Sequence, residues 1–484
     1  MKQLIILLAI LLFTGCKSTP VTYEQISELP DIFPDYIDIT LPYNIAPMNF
    51  HVADAERVSV LFVGSERYRF NSKSSLITFP EKRWRKMLET EKGNTLDVYI
   101  TIRQGSRHLG YQGFKWKIAQ EPIDKYLSYR LIEPAYEVWN MLQICERDVE
   151  GFNVRMLADN NITDRTCMNC HTSNRQENPT TFLHVRGEKG GTIYSKDGKL
   201  RKINTKTTET TGVAVYGEID SQGRYGIFTT ADIIPILHSY RTERMEVFDK
   251  HSDLILIDFE NNTVSDTPTI SGEEFQETFP CFSADNRTIY FCRAPSLPQP
   301  DSTKHMRYDL YSISFDPETG TLGNAIEKVF DATSAGKSVS FPKCSPDGNY
   351  LLFSVSDYGT FPIWHPETDL WMLNLNNKEI NKMETTNDRY SDSYHSWSSN
   401  SRWIVFASKR DDRVYGRPYF AYVNADGSTD KAFVLPQKDP KSYLTTLKSY
   451  NIPELYPYPE TYNAHDIRKI YFHKEAEQIE YTKN

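Results

Sequence analysis

The sequence predicts an all-β protein, with a C-terminal β-propeller preceded by a small β-sandwich-like domain carrying two helices. Three observations support this. Four segments superimpose without gaps, each running from an aligned Asp or Ser to a phenylalanine: Asp220 to Phe228, Ser283 to Phe291, Ser345 to Phe353 and Ser398 to Phe406. The aligned residues are 63, 62 and 53 apart, the period of four-stranded blades with long loops. Aromatic residues make up 13% of the chain, with 30 tyrosines, which suits many half-buried strand positions. At 484 residues the chain exceeds one ordinary core, so two domains are expected. Acidic residues outnumber basic ones by 64 to 55, the net charge is -9 and no basic run stands out, which argues against nucleic acid as a partner.

Residues 30–150 form the expected sandwich-like domain. Pro30 to Pro47 is a proline-rich entry, and Val58 to Val63, Tyr68 to Phe70 and Leu96 to Ile102 have strand character. Pro80 to Lys92 reads as a helix, with proline in its first turn, Trp84, Met87 and Leu88 on one side, and Gly93 at its end. Pro134 to Arg147 reads as a second helix, apolar over a broad surface through Val138, Trp139, Leu142 and Ile144.

From residue 191 to 484 the aligned turns alternate with a second kind of hairpin, as at Asp253-Leu254-Ile255, Asp309-Leu310-Tyr311 and Asp369-Leu370-Trp371. The spacing, together with turns such as Ser345-Pro346-Asp347-Gly348, resembles the β-propeller repeats of the periplasmic TolB-like family over roughly residues 185–440. That resemblance implies six blades, with the missing strands drawn from residues 443–484 or from before 191. It is silent on activity. Propeller topology sends the long connections 231–252, 293–308, 356–368 and 409–418 to one face. His238, His305, Trp364, His365, Arg410, Asp411 and Asp412 are expected around that mouth, with His395 and Trp397 entering nearby. His365, His395, Trp397, Arg410 and Asp411 are the candidate binding residues of this loop face.

Residues 151–190 are expected to be a linker, and they hold the stretch that dictates a specific chemistry: Cys167-Met168-Asn169-Cys170-His171. Two thiols three positions apart on one helical turn can add to the vinyl groups of a haem, and the adjacent imidazole can then meet the iron. Thr163 or Asp164 is placed to cap such a turn. A zinc half-site or a redox dithiol uses the same letters. The pentapeptide resembles the attachment motif of c-type cytochromes, which implies covalent haem c on Cys167 and Cys170, with His171 as a metal ligand. His184 is the first candidate for the second axial position, ahead of Met156 and Met168.

Met1-Lys2-Gln3, the apolar run Leu4 to Phe13 and Thr14-Gly15-Cys16 resemble a bacterial lipoprotein signal, although Phe13 stands where leucine is usual. The resemblance implies removal of the signal within residues 1–16, lipidation of Cys16 and a tethered chain, on the periplasmic side rather than the cell surface. Cys145, Cys281, Cys292 and Cys344 remain, and Cys281 with Cys292 reads either as a bridge across one hairpin or as buried small hydrophobes. The expected function is electron transfer, with an envelope protein or redox partner docked on the loop face. The alternative is a non-catalytic propeller scaffold binding a protein, peptide or glycan. A hydrolase finds no support, because no nucleophile elbow or H-E-x-x-H is present.

Overall fold

The computed structural model describes residues 23–134, 141–173, 180–297 and 304–483, and only the backbone of residues 169 and 170. Alternation of buried and exposed side chains along Arg57–Val63 and Thr95–Gln104 makes both strands two-faced, and they pair antiparallel. Thr95–Gln104 also pairs with Arg107–Gly110 and Phe114–Ala119, and a smaller sheet joins Ile32–Phe33, Phe50–Val52 and Leu76–Ile77. The predicted first helix is present as Glu81–Thr90 and buries Trp84, Met87 and Leu88. Trp84 stacks on Phe79 and donates its Nε1–H to Ile45 O at 2.9 Å, so its one polar atom is satisfied inside the core.

The remaining strands form six sheets, four of four strands and two to which the short strands Glu477–Gln478 and Glu480–Tyr481 each add a fifth. The first strands of successive sheets touch in turn and close a ring. These are Met168–Ser173, Ala214–Ile219, Phe275–Phe282, Ser338–Cys344, Asp392–Trp397 and Ser449–Tyr456. Blade 1 is composite. Its outer strands Tyr126–Ile132, Leu142–Asp148 and Val154–Asp159 come from before the pentapeptide, and its inner strand, Ser449–Tyr456, comes from near the C-terminus. Closure with strands from both sides of the repeat meets the sequence expectation. Pairing the two chain ends in one sheet removes the free edges a linear array would leave.

Three expectations are corrected. The second helix is the strand Leu142–Asp148, whose buried side chains face both sides of blade 1; residues 135–140 of that expected helix lie outside the described residues. A short run buried on both faces has no helical or strand period to distinguish it. The expected linker 151–190 and boundary at 190 fall inside blades 1 and 2, since Val154–Asp159 closes the first and Met168–Ser173 opens the second. An unexpected helix, Ala464–His473, is started by Asn463 and Asp466 in a reciprocal capping box. The sandwich-like domain is fused to blade 6 through one apolar core that holds Trp116, Trp403 and Phe433 together.

Candidate functional site

Every inner strand carries a bulge at the same point. The register shifts at Asn451/Glu454, Asn169/Thr172, Val215/Gly217, Thr278/Cys281, Ser340/Lys343 and Ser393/Ser396. In four blades the bulged residue takes a positive φ: Phe279 (51°), Phe341 (53°), Tyr394 (49°) and Ile452 (50°). Bulky residues rarely adopt that conformation, so packing around the axis holds it in place. Blade by blade the bulge reads Ile452-Pro453, Cys170-His171, Tyr216-Gly217, Phe279-Pro280, Phe341-Pro342 and Tyr394-His395. Gly217 is needed because a Cβ there would lie 2.1 Å from Ile227 O. The last two letters of the pentapeptide are therefore a blade position. The signal was present in the sequence, four residues ahead of each aligned turn.

These bulges ring a narrow channel lined by His171, Tyr216, Phe279, Phe341, His395 and Glu454. Glu454 accepts hydrogen bonds from the Thr172 hydroxyl (3.2 Å) and the Ser173 amide (2.9 Å), and burial pushes its carboxyl up to about 7. Lys343 Nζ lies 3.3 Å from Glu218 Oε1 in the same wall. His395 is fully enclosed, with Nε2 3.1 Å from Leu352 O, and burial holds it at about 3. His171 is equally buried and is also held at about 3, by burial and by Arg130. Its ring nitrogens make no close hydrogen bond among the described residues, although the Ile452 backbone lies near enough to favour its charged form weakly.

Above the channel the ring opens into a cavity of about 1090 Å³, at the top of the range usual for small-molecule and cofactor sites. Its wall includes Arg130, Cys167, His184, Asp249, Phe279, Trp364 and Lys409. Of the four connections expected on this face, 231–252, 356–368 and 409–418 reach it, whereas no described residue of 293–308 lines it. The first of these is an outsized hairpin, Tyr225–Leu237 with Met245–Asp258, which runs well past its blade and lays Ile233, Pro235, Leu237 and Val247 along the cavity.

Cys167 is buried in the cavity wall beside Met168 and Leu183, and burial raises its thiol above the usual range. A protonated, enclosed thiol is a poor redox nucleophile. His184 sits on the neighbouring strand Thr181–Val185, opposite Asn169. Its Nδ1 is 3.2 Å from Thr192 Oγ1, and burial with Arg186 nearby holds it at about 4. Among the described residues no group of three His, Cys, Asp or Glu side chains is placed to hold a metal ion.

The expected helical turn is absent. No helix begins at Thr163 or Asp164; Asp164 takes a φ of 55° and the pentapeptide runs into the strand Met168–Ser173. In a strand three residues span about 10 Å, against about 5 Å in a helix, so the backbones of residues 167 and 170 are further apart than a helical turn would put them. His171 and His184 lie on adjacent strands of one blade, His184 lining the cavity and His171 the channel beneath it. Met156 is in the outermost strand of blade 1 and 38% exposed, away from any such site, and Met168 is packed in the core.

The candidate loop-face residues are largely committed to the fold. His365 is buried between Glu246 (2.6 Å) and Glu367 (3.2 Å); burial opposes its charge, but the two carboxylates prevail and raise it to about 9. It pins the long hairpin to blade 5. Arg410 pairs with Asp392 at 2.9 Å, Asp411 accepts from the Tyr419 hydroxyl at 2.8 Å, and Trp397 donates to Lys343 O at 3.0 Å. Asp412 accepts from the amides of Val414 and Tyr415. Cys281 and Cys292 are both buried and form no disulfide, and the register pairs them with Tyr290 and Thr278 rather than with each other. The sequence reading did not single out Arg130, Asp249 and Lys409, whose place in the wall depends on ring closure.

Fold and site together define a six-bladed propeller with a deep mouth, capped at one side by a sandwich domain. Among solved structures, an oligogalacturonate lyase in complex with manganese is similar over 64% of this chain and 85% of its own, at 13% identity and a TM-score of 0.33. An oligogalacturonate lyase from Vibrio parahaemolyticus matches 62% of this chain and 92% of its own, at 13% identity and a TM-score of 0.33. A DUF4784 family protein from Bacteroides caccae matches 74% of this chain and 96% of its own, at 10% identity and a TM-score of 0.32. No family model matches the chain. No curated protein matches it either.

Proposed function

We propose that this chain is a c-type haem protein of the cell envelope, tethered through Cys16 with the periplasmic side favoured, in which the propeller mouth cradles a haem joined to Cys167 and Cys170. The supporting observation is a convergence. Residues chosen from sequence chemistry alone, Cys167 and His184, line the mouth cavity, and His171 lies in the adjoining channel, buried and with no close hydrogen bond to its ring nitrogens among the described residues. An enclosed imidazole with two unsatisfied nitrogens is costly unless something outside the polypeptide completes it. The cavity is large enough for the group, but as folded the segment 167–171 runs into a strand, so attachment requires it to leave that strand for a turn.

Haem bound here supplies a one-electron change. His171 would hold the iron of such a group, and His184 is the other imidazole that could serve it. The apolar hairpin side chains Ile233, Pro235 and Val247 keep water from the group, and a redox partner from the envelope docks on the surrounding loops. Protein expressed with a cytochrome maturation system is expected to show a Soret band and a thioether-type haemochrome spectrum. Colourless protein with free thiols at 167 and 170 overturns the reading. A low-spin spectrum unchanged by His184→Ala assigns the second position to another group.

One observation favours a second reading. The strand geometry of Met168–Ser173 suits a non-catalytic scaffold in which the mouth binds an envelope ligand and Cys167 only packs. That reading predicts binding that survives Cys167→Ala and a protein without visible absorbance.

A further inference from the structure

We propose that the mouth cavity contains a carboxylate-binding subsite, in which Lys409 Nζ, seated on the face of Trp364 with Arg244 alongside, meets the acid group of the occupant. Lys409 is 2% exposed and its Nζ has no hydrogen-bond partner among the described residues. Nζ lies 2.9 Å from the centroid of the Trp364 ring, and the Arg244 guanidinium is 6.0 Å from the same centroid. Lys409 and Trp364 both line the cavity.

An indole face steadies an ammonium but does not replace the hydrogen bonds it lost from water. Two of the acids in this region are occupied elsewhere, while Glu133, whose Oε2 is buried without a hydrogen-bond partner among the described residues, lines the same cavity. Asp412 accepts two backbone amides and lies 3.9 Å from Arg417, and Asp249 is bonded by the Tyr308 hydroxyl at 2.8 Å. Burial, together with repulsion from Arg244, lowers the Lys409 amine well below its usual range. A carboxylate entering the cavity restores the charge and supplies the missing acceptor in one contact. Phe279, Phe361 and Trp364 line the same space, so the group carrying the acid is apolar or aromatic.

The inference rests on the mouth cavity being the working site, not on which molecule fills it, since a haem propionate and a free aryl acid present the same chemistry. The test is calorimetric titration of the haem-free full chain with benzoate, using benzamide as the uncharged control. Benzoate is expected to bind saturably and benzamide not to bind. Lys409→Met should weaken benzoate by about tenfold or more, the value of a lost charge-assisted hydrogen bond, while Lys409→Arg stays close to wild type. Lys409→Met is also expected to melt no lower than wild type, because it removes a buried unpaired amine; a structural lysine would give the opposite. Lys409→Gln serves if the methionine variant does not fold. Equal binding of benzamide, unchanged binding by Lys409→Met, or no benzoate binding by wild type overturns the subsite. A colourless protein that still takes benzoate sinks the haem reading alone, and a haem-bearing protein with no benzoate response in its haem-free form sinks the subsite alone.

Discussion

Blades 2 and 6 place a histidine at the same point of the same bulge, yet the two side chains live differently. His171 and His395 are 4% and 3% exposed, and burial holds both at about 3. His395 nevertheless has the Leu352 carbonyl at 3.1 Å and the Ser354 hydroxyl at 3.5 Å, whereas His171 has only the Ile452 backbone nearby and no close hydrogen bond among the described residues. The propeller therefore accounts for the depth and the depressed basicity of both rings. It does not account for the looser hydrogen bonding of His171.

The largest expected effect separates the blades outright. Cys167→Ala with Cys170→Ala should abolish covalently held haem and its Soret absorbance, while His395→Gln leaves both in place. Equal loss in the two variants would mean that blade 2 is not special. The next effect is on stability. In the haem-free chain His395→Leu should cost about 1–3 kcal/mol in urea unfolding, because it strands the Leu352 carbonyl, whereas His171→Leu should be neutral or stabilising. A comparable loss for His171→Leu would reveal a partner on blade 2 and remove the contrast.

The smallest effect is a slope. Since the folded-state value of His395 is lowered, the native chain resists a proton that the unfolded chain accepts. The associated stability is fully present above about pH 6.5 and is lost as pH falls toward 3. Replacing His395 by Gln keeps a hydrogen-bonding side chain but removes the titration. The fall in stability with pH across that window should become shallower by up to about 1.4 kcal/mol per pH unit. His184, held at about 4, acts in the same direction and stays in both proteins, so the difference between their curves isolates His395.

The ring itself was readable because its local grammar repeats: a turn, then a strand ending in phenylalanine, as at Ser345 to Phe353, sets register without reference to distant residues. The same grammar extends four residues upstream to Phe279-Pro280, Phe341-Pro342 and Tyr394-His395, which was enough to recognise Cys170-His171 as a bulge rather than a helical turn. Chemistry drew the eye away from periodicity there. Leu142–Asp148 misread as a helix because a strand buried on both faces shows no alternation. Lys409 and Arg130 were beyond reach for another reason. Arg130 belongs to an early strand and Asn451 to a late one, and only their pairing across blade 1 builds the wall they share.

The composite blade also sets an order of events during synthesis. Residues 167–171 leave the ribosome long before Ser449–Tyr456, the strand that seals blade 1 beside them. Until that strand arrives, the sheet of blade 1 ends at Tyr126–Ile132, with an unpaired edge where the mouth will be. On the haem reading proposed above, a haem-loading enzyme would meet the pentapeptide on an incomplete ring, before docking of the last strand.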